Sequence, residues 1–345
     1  MRVRQLPRHR ARVEVVDGEG VRMTTAAMAT SPQSSKTGTA RRRRTLQASG
    51  FIWIAPALLL SAGLVYLCIA YTLYVSTLDW NGVDPNPVNV GLGNYLQLLQ
   101  DPIFWLALQH TVIFFVVSFG VQTVLGLLFA VLLHSNVRLP WVYKVIIFVP
   151  VMLAPAIMAP VFRNLFASDG PFNQILLAVG LGSLAQLWLA QSSTAIFVLI
   201  VMNIWQSTGF AFLLYYSAMG QIEPEIIEAA RIDGAGNLRV LWHVIVPGVR
   251  GTMLALATLA VIGTLKLFDI PYLVTLGGPN YATEFLGTFI YRQTVPLGYV
   301  GYGAALSIAL LVLALTLSVI LNLRAQRDKK SRHIIEVTGV GMEGK

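Results

Sequence analysis

The sequence predicts an all-α integral membrane protein with six membrane-spanning helices. Hydrophobic residues make up 55% of the 345 residues and charged residues only 12%, whereas about a quarter of an ordinary soluble domain is charged. A soluble core could not hide so many apolar side chains, but lipid solvates them directly. Six separate apolar runs and a one-sided distribution of Lys and Arg complete the prediction.

The apolar runs are long enough, at about 17 to 25 residues, to cross a hydrocarbon core of roughly 30 Å as helices. The short alternating stretches that a barrel strand would need are absent from the sequence. The predicted spans lie near residues 51–78, 105–133, 142–166, 194–219, 249–276 and 300–323. They make one membrane domain over residues 49–324, because the connections near 79–103, 167–193 and 277–299 are too short to form another.

The basic residues orient these spans. Residues 1–50, 134–144, 220–250 and 324–345 together hold 22 of the 25 Lys and Arg residues. Arg163 and Arg292 lie on the other side, and Lys266 lies within a predicted span. Because Lys and Arg are retained on the cytoplasmic side, we expect a multi-pass protein of a bacterial-type cell membrane with both termini in the cytoplasm.

The chain ends carry most of the net charge of +9, which therefore does not indicate a nucleic-acid partner. Residues 1–48, which include four arginines at 41–44, are predicted to form a disordered basic tail, and residues 325–345 a second basic cytoplasmic tail. The arginines could also contact lipid phosphates, and Met23 or Met28 could be the natural first residue.

A polar, glycine-containing insert occupies residues 221–247, between two apolar runs. Glu223 and Pro224 favour a helix start, and Gly234 favours a break. A second short helix is predicted to end at Pro247. One face of the first helix carries Ile226, Ile227 and Ala230, and the second helix carries Leu238, Leu241 and Val244. The pattern indicates a two-helix knob that needs a partner, although an interfacial helix on lipid headgroups would give a similar pattern.

The spacing within this insert resembles the EAA loop of permease subunits in binding-protein-dependent ABC importers, written EAA, x3, G, x9, I-x-L-P. The matching residues are Glu228, Ala229, Ala230, Gly234, Val244, Val246 and Pro247, with valine twice replacing a larger aliphatic residue. Asp233, in the segment DGA, is similar to the version found in maltose-type sugar importers. Blocks at 91–111, 149–166, 267–279 and 301–313 also look like those of carbohydrate permeases, so the resemblance covers about 51–324.

The resemblance implies a type I ABC importer permease fold in which the insert is a coupling loop. It also implies a second homologous permease, two ATPase subunits, an extracytoplasmic binding protein and a sugar or sugar-like solute. No phosphate-binding G-x-x-x-x-G-K-[ST] motif occurs, so the chain is expected to be a transport subunit without enzymatic activity or cofactor, whose partner ATPases use ATP-Mg. No catalytic residue is predicted, and the five histidines form no metal-binding pattern.

Within the coupling loop, each motif residue has an expected role. Gly234 would let two backbones approach closely, and Glu228 would orient the turn by hydrogen bonding or ion pairing. Ala229 and Ala230 would be small enough for the helix to seat in an ATPase cleft.

Polar residues inside spans predict the solute pathway, because they are costly there and usually face a cavity or a partner. The candidates, with adjacent aromatic residues that could pack on a sugar ring, are Gln122, Asn203, Trp205, Gln206, Lys266, Phe268 and Asp269. His110 fits a hydrogen bond between helices or a ligand contact, and Trp205 fits packing or the pathway. Lys266 and Asp269, three residues apart, would share a helix face and could neutralise each other.

Three other functions remain open from sequence. A related ABC permease could carry glycerophosphate-type solutes. A secondary transporter would be expected to show inverted repeats or ion-coupling carboxylates, and Asp269 is the one carboxylate predicted inside a span. A membrane-embedded enzyme would need paired acids, a nucleophile or metal ligands in helical register, which the sequence does not show.

Overall fold

A computed structural model of the chain describes residues 40–135 and 137–339, which are mainly helical. Residues 1–39, where the predicted disorder and the alternative first residues fall, lie outside the described residues. The chain divides into two compact units, residues 1–62 and 63–345, and every site discussed below belongs to the second.

The secondary structure is a succession of helices with one small antiparallel hairpin, in which Leu78 pairs with Asn89. The α-helices are α1 (Ala40–Val75), α2 (Gly93–Gln100), α3 (Pro102–His134), α4 (Pro140–Phe148), α5 (Pro155–Leu165), α6 (Pro171–Ala178), α7 (Ser192–Met219), α8 (Pro224–Ile232), α9 (Asn237–Val240), α10 (Val246–Gly248), α11 (Arg250–Leu265), α12 (Asp269–Thr275), α13 (Leu286–Thr294) and α14 (Val300–Gly339). The strands are β1 (Leu78–Asp79) and β2 (Val88–Asn89), and Leu241–Ile245 is a π-helical stretch.

Among the described residues, four uninterrupted helical segments are long and apolar enough to cross a membrane: Ile54–Val75, Pro102–His134, Ser192–Met219 and Val300–Leu323. Two further candidates are bent pairs, Pro140–Met152 with Pro155–Leu165 and Asn237–Gly248 with Arg250–Leu265. Counting each pair as one span gives the six predicted spans. Five of the six lie close to their predicted positions, whereas the second bent pair covers 237–265 instead of 249–276 and so begins within the polar insert. Two of the six are bent.

The first bent pair turns by 95° between Met152 and Pro155. A residue before proline is pushed out of the helical region, and proline has no backbone N–H to continue a helix. Ala154 accordingly has an extended backbone, and Pro155 begins α5. The span predicted over 142–166 is therefore bent, and Pro155 causes the bend.

The second bent pair turns by 64° at Val249. Proline removes one helical hydrogen bond and its ring crowds the carbonyl four residues earlier, here that of His243. His243 lies in the wider π-helical turn, and the helix continues past Pro247 to Gly248. The expectation that Pro247 ends the helix is thus wrong by one residue.

A break separates α11 from α12, so the predicted single span over 249–276 ends at Leu265. Lys266 closes α11, and Phe268 leaves the helical region before Asp269 starts α12. The side chains of Lys266 and Asp269 are exposed, and the ion-pair contacts of the described residues do not include one between them. Their expected mutual neutralisation is wrong, because it assumed one continuous helix.

Two helices extend beyond their predicted ends. Residues 40–48, predicted to be disordered, belong to α1, since arginine is a good helix former and the segment continues the first span. Helix α14 likewise continues through residues 325–339, into the basic C-terminal segment.

Helix α7 packs closely against both α3 and α4 through small residues. A Cβ built on Gly126 of α3 would lie 3.0 Å from the backbone nitrogen of Phe212 in α7. A Cβ on Gly209 of α7 would clash with the carbonyl oxygen of Ile147 in α4. Small residues allow membrane helices to approach to this distance. One end of the α3–α7 pair packs with α5 and α12, and the other with the segment that follows α7.

Candidate functional site

The coupling loop, residues 221–247, folds as α8, a turn and α9, and the turn (Asp233–Gly236, called the elbow below) ends α8. The Ala235 N–H donates to the Ala230 carbonyl at 2.9 Å, and the Gly234 N–H donates to the Arg231 carbonyl at 3.0 Å. Gly234 has φ +81°. These bonds and the left-handed residue form a Schellman motif, in which glycine is favoured because it has no Cβ.

Open space surrounds Gly234. No heavy atom lies within 4 Å of a Cβ built at this position. No close approach to another backbone of this chain is seen at Gly234, where the backbone conformation requires glycine; a close approach to a partner subunit stays a prediction.

The inner face of the coupling loop packs on its own chain. Ile227 and Ala230 of α8 join the apolar cluster formed by the ends of α3 and α7, including Tyr215 and Met219. Ile245 is buried in the same cluster. This face is therefore not available to lipid headgroups, which argues against the interfacial-helix alternative.

The outer face of the coupling loop carries both the acidic motif residues and exposed apolar side chains. Glu228, Ala229, Asp233 and Gly234 are exposed. Among the described residues, no hydrogen bond or ion pair holds the Glu228 carboxylate, so its expected role in orienting the elbow is not seen. The exposed apolar side chains are Ile226, Ile232, Leu238 and Trp242, with Ile232 86% exposed and Trp242 62% exposed. Val244 and Val246 are half-buried, and Pro247 is exposed.

A cavity of about 290 Å³ lies between α3, α7 and α11; it is called the solute pocket below because Gln122 and Asn203, two residues predicted for the solute pathway, line it. Hydroxyl and amide groups line it together with phenylalanine rings and small residues. The polar members are Ser118, Gln122, Thr123, Asn203, Ser207 and Thr264, and the aromatic members are Phe114, Phe115, Phe119 and Phe210. Such a combination binds a ligand by a few directed hydrogen bonds and a larger apolar contact.

Gln122 and Asn203 face each other across this pocket, from α3 and α7. The Gln122 side-chain Nε2 donates to the Asn203 Oδ1 at 2.8 Å and to the Asn203 carbonyl at 3.3 Å. The Gln122 Oε1 acceptor and the Asn203 Nδ2 donor have no partner among the described residues. Both groups can therefore hydrogen-bond a solute.

The lining of the solute pocket contains no charged side chain. Within the described part of the chain, no group of three or more His, Cys, Asp or Glu residues could hold a metal ion. The pocket therefore suits a neutral, hydroxyl-rich solute better than an anion, whose charge would be buried without a partner.

The other predicted pathway residues lie outside the solute pocket. Trp205 packs on Phe162, with ring centroids 5.7 Å apart. Gln206 donates to the Leu153 carbonyl at 2.9 Å, which satisfies a backbone group freed by the first bend. Lys266, Phe268 and Asp269 lie at the break between α11 and α12. His110 donates from Nδ1 to the Glu284 carbonyl at 3.1 Å, an internal hydrogen bond and not a pocket contact.

The sequence contained a pattern that would have found the missed lining residues. Ser118 and Gln122 are four residues apart on α3, and Asn203, Ser207 and Phe210 recur on one face of α7. Residues three or four apart on a helix share a face. The cost of a polar group in lipid predicts single residues such as Gln122 and Asn203, whereas the stripes on α3 and α7 indicate which neighbours share their face.

Residues 122–330 match the family described as the binding-protein-dependent transport system inner membrane component. The chain belongs to this family of permeases. The match includes the coupling loop and most of the solute pocket, and it confirms the resemblance read from the EAA spacing. The protein is thus a multi-pass membrane permease.

Individual relatives agree with the family match. The permease is 32% identical over 272 residues to the probable ABC transporter permease protein YurN of Bacillus subtilis, covering 78% of this chain and 93% of the relative. It is 31% identical to the lactose transport system permease protein LacF of Rhizobium radiobacter, over 88% of this chain and all of the relative. It is 30% identical to the trehalose/maltose transport system permease protein MalF of Thermococcus litoralis, over 79% of this chain and 91% of the relative.

The fold also matches a solved structure. A chain of a bacterial ABC transporter involved in the import of alginate superposes with a TM-score of 0.68, at 22% identity, over 82% of this chain and 99% of that chain. The likeness confirms the predicted importer-permease fold.

Proposed function

We propose that this permease forms, with a second homologous permease, the path for a neutral sugar in an ATP-driven importer. An extracytoplasmic binding protein delivers the sugar, and two separate ATPase subunits, which use ATP-Mg, drive its release. This chain itself binds no cofactor in the proposal. The names of the lactose and trehalose/maltose permease relatives support a sugar as the solute.

One observation carries the proposal: the two helices that the coupling loop joins are also two walls of the solute pocket. Helix α7 leads into the coupling loop, residues 248 and 249 lead out of it into α11, and both α7 and α11 line the pocket. The loop also packs on the ends of α3 and α7. A displacement of the loop would therefore move the walls of the pocket directly.

The outer face of the coupling loop supplies a surface for the ATPase subunits. Ile226, Ile232, Leu238 and Trp242 form an exposed apolar surface beside the free Glu228 carboxylate. Exposed apolar groups of this kind mark interaction sites when polar residues surround them. The positive-inside distribution supports a cytoplasmic position for this surface and for both termini, on the side where ATP is available.

The uncharged lining of the pocket favours a neutral sugar over the glycerophosphate-type alternative. A phosphate in this pocket would have no cation to pair with, because Lys266 is exposed outside the lining. Aromatic rings and directed amide groups are the features expected of a sugar site.

Reconstitution tests the proposal. The permease pair, ATPase subunits and binding protein would be placed in proteoliposomes, and uptake of radiolabelled trehalose, maltose and lactose measured with and without ATP. We expect ATP-dependent uptake of at least one sugar, lost when the ATPase subunits are omitted. Uptake of none of these sugars, or uptake driven by an ion gradient through the permeases alone, would contradict it.

A further inference from the structure

A second cavity, called the outer pocket, lies beyond the break between α11 and α12. It has a volume of about 420 Å³ and is lined by Tyr272, Leu276, Tyr281, Thr288, Tyr291, Arg292, Pro296 and Leu297. Leu267 lines the solute pocket, whereas Tyr272, five residues later, lines the outer pocket. The break therefore separates two cavities that follow each other along the chain.

Packed aromatic rings form one wall of the outer pocket. Phe268 stacks on Tyr272 with ring centroids 4.9 Å apart, and Tyr291 meets Tyr272 edge-on at 5.0 Å. The hydroxyl groups of the two tyrosines are 3.3 Å apart. The wall thus presents the adjacent hydroxyl groups of Tyr272 and Tyr291, and neighbouring aromatic rings hold both side chains in place.

An ion pair with the buried Glu284 fixes Arg292 in the lining of the same pocket. Its Nη2 lies 2.7 Å from Glu284 Oε2, with Glu284 fully buried and Arg292 32% exposed. The same nitrogen donates to the Leu276 carbonyl at 3.0 Å. The guanidinium group also lies over the ring of Tyr281, 5.0 Å from its centroid.

The ion pair decides which class of ligand this pocket suits. Arg292 is the one charged residue of the lining, and Glu284 already compensates its charge. The pocket consequently offers N–H and O–H groups and aromatic surface but no net positive charge. An anionic sugar or a phosphate would have to compete for Arg292 with the Glu284 carboxylate, which already lies 2.7 Å from the guanidinium group.

We infer that the outer pocket is a second binding subsite, which takes a neutral sugar before the sugar reaches the solute pocket. Tyr281 supplies a ring for the face of the sugar, and Tyr272, Tyr291 and Arg292 supply hydrogen bonds to its hydroxyl groups. The inference rests on the proposed function, since it places the same solute at an earlier point of its path.

Cysteine protection tests the subsite without requiring transport. The complete importer would be prepared in nanodiscs, without added binding protein, from otherwise cysteine-free subunits in which exposed Cys68 is replaced by Ser. One reporter would be Leu276→Cys, at a position 65% exposed in the outer-pocket lining. The matched control would be Val83→Cys, 86% exposed and outside both pockets. Modification by a methanethiosulfonate reagent would be timed with trehalose, maltose, lactose, glucuronate or glycerol 3-phosphate.

We expect at least one neutral sugar to slow modification of Leu276→Cys about threefold, the value for a site two-thirds occupied. Modification of Val83→Cys should not change, and glucuronate and glycerol 3-phosphate should give no protection. Adding Tyr281→Leu should weaken the binding of the protecting sugar about two- to tenfold, because the substitution removes the aromatic ring.

Three results would overturn the subsite. They are no protection by any neutral sugar, protection that needs the same sugar concentration with and without Tyr281→Leu, and, when binding protein is added, protection by that protein but by no sugar, which would mark a docking surface. An importer that transports one of these sugars while Leu276→Cys stays unprotected would overturn the subsite alone. An importer that transports none of them would overturn the proposed function.

Discussion

Variants of Gly234 can distinguish two reasons for a glycine in the elbow: its backbone conformation and the space around it. The residue has φ +81°, and a Cβ there would touch nothing in the chain. The whole cost of a side chain within this subunit is therefore conformational. Asparagine tolerates the left-handed region, alanine pays about 1–2 kcal/mol, and a β-branched residue pays more.

These costs rank the variants. Because about 1.4 kcal/mol is a tenfold change in an equilibrium constant, Gly234→Ala should reduce the equilibrium constant for forming the native elbow about five- to thirtyfold. Gly234→Val should reduce it further, whereas Gly234→Asn should remain close to the native protein. All three proteins should insert in the membrane at normal amounts, because the spans do not depend on the elbow.

The assay is ATP-dependent solute uptake in proteoliposomes, with co-purification of the ATPase subunits as a second readout. The expected order of activity is Asn, then Ala, then Val. If uptake instead followed side-chain size, with Ala above Asn, the glycine would be needed for space at a subunit contact and the conformational argument would be refuted.

Three further predictions concern other residues. Glu228→Lys should fold and insert normally, since the exposed carboxylate has no partner within the described chain, but should co-purify less ATPase; unchanged co-purification would remove Glu228 from the contact surface. Gln122→Leu or Asn203→Leu alone should each lower thermal stability by about 1–3 kcal/mol, because a buried amide loses its partner, and the double variant should lose less than the sum; strictly additive losses would show that the two amides do not interact. Burial raises the pKa of Glu284 above its usual 4.5 while Arg292 opposes the rise, so Arg292→Ala should raise the pKa further. The folded state then holds the proton more tightly than the unfolded chain, and the free energy of unfolding must fall as pH rises above 4.5. The Tm of Arg292→Ala should accordingly drop as pH rises above 4.5. Adding Glu284→Gln should remove this slope, whereas a pH-independent Tm of Arg292→Ala would contradict the buried charge.

Most of the fold could be predicted from sequence because lipid imposes a simple rule on composition. The helices Pro102–His134 and Ser192–Met219 agree with predicted runs to within a few residues. The coupling loop was also predictable, since its glycine and its capping residues have local requirements. Its apolar face was predicted to need a partner, and Ile227 and Ala230 find one within the chain.

The errors came from treating each apolar run as one straight helix. Pro155 marked a bend that composition could not show, and the break at Lys266 moved two charged side chains off a shared face. The solute pocket depends on three helices that are far apart in sequence, so its depth and lining required the structure. Gln122 and Asn203 were found because polar groups in lipid are conspicuous. Ser118 and Thr264 were missed because single hydroxyl groups are not.

The central claim is that the coupling loop transmits ATPase motion to the walls of the solute pocket. Its most direct test is the reactivity of Ser207→Cys, in the pocket lining, towards an impermeant thiol reagent in nucleotide-free and ATP-trapped importers. We predict that the rate changes between these states in the otherwise native protein and stays constant when Gly234→Val is added. An equal change with Gly234→Val, or no change in either protein, would contradict the claim.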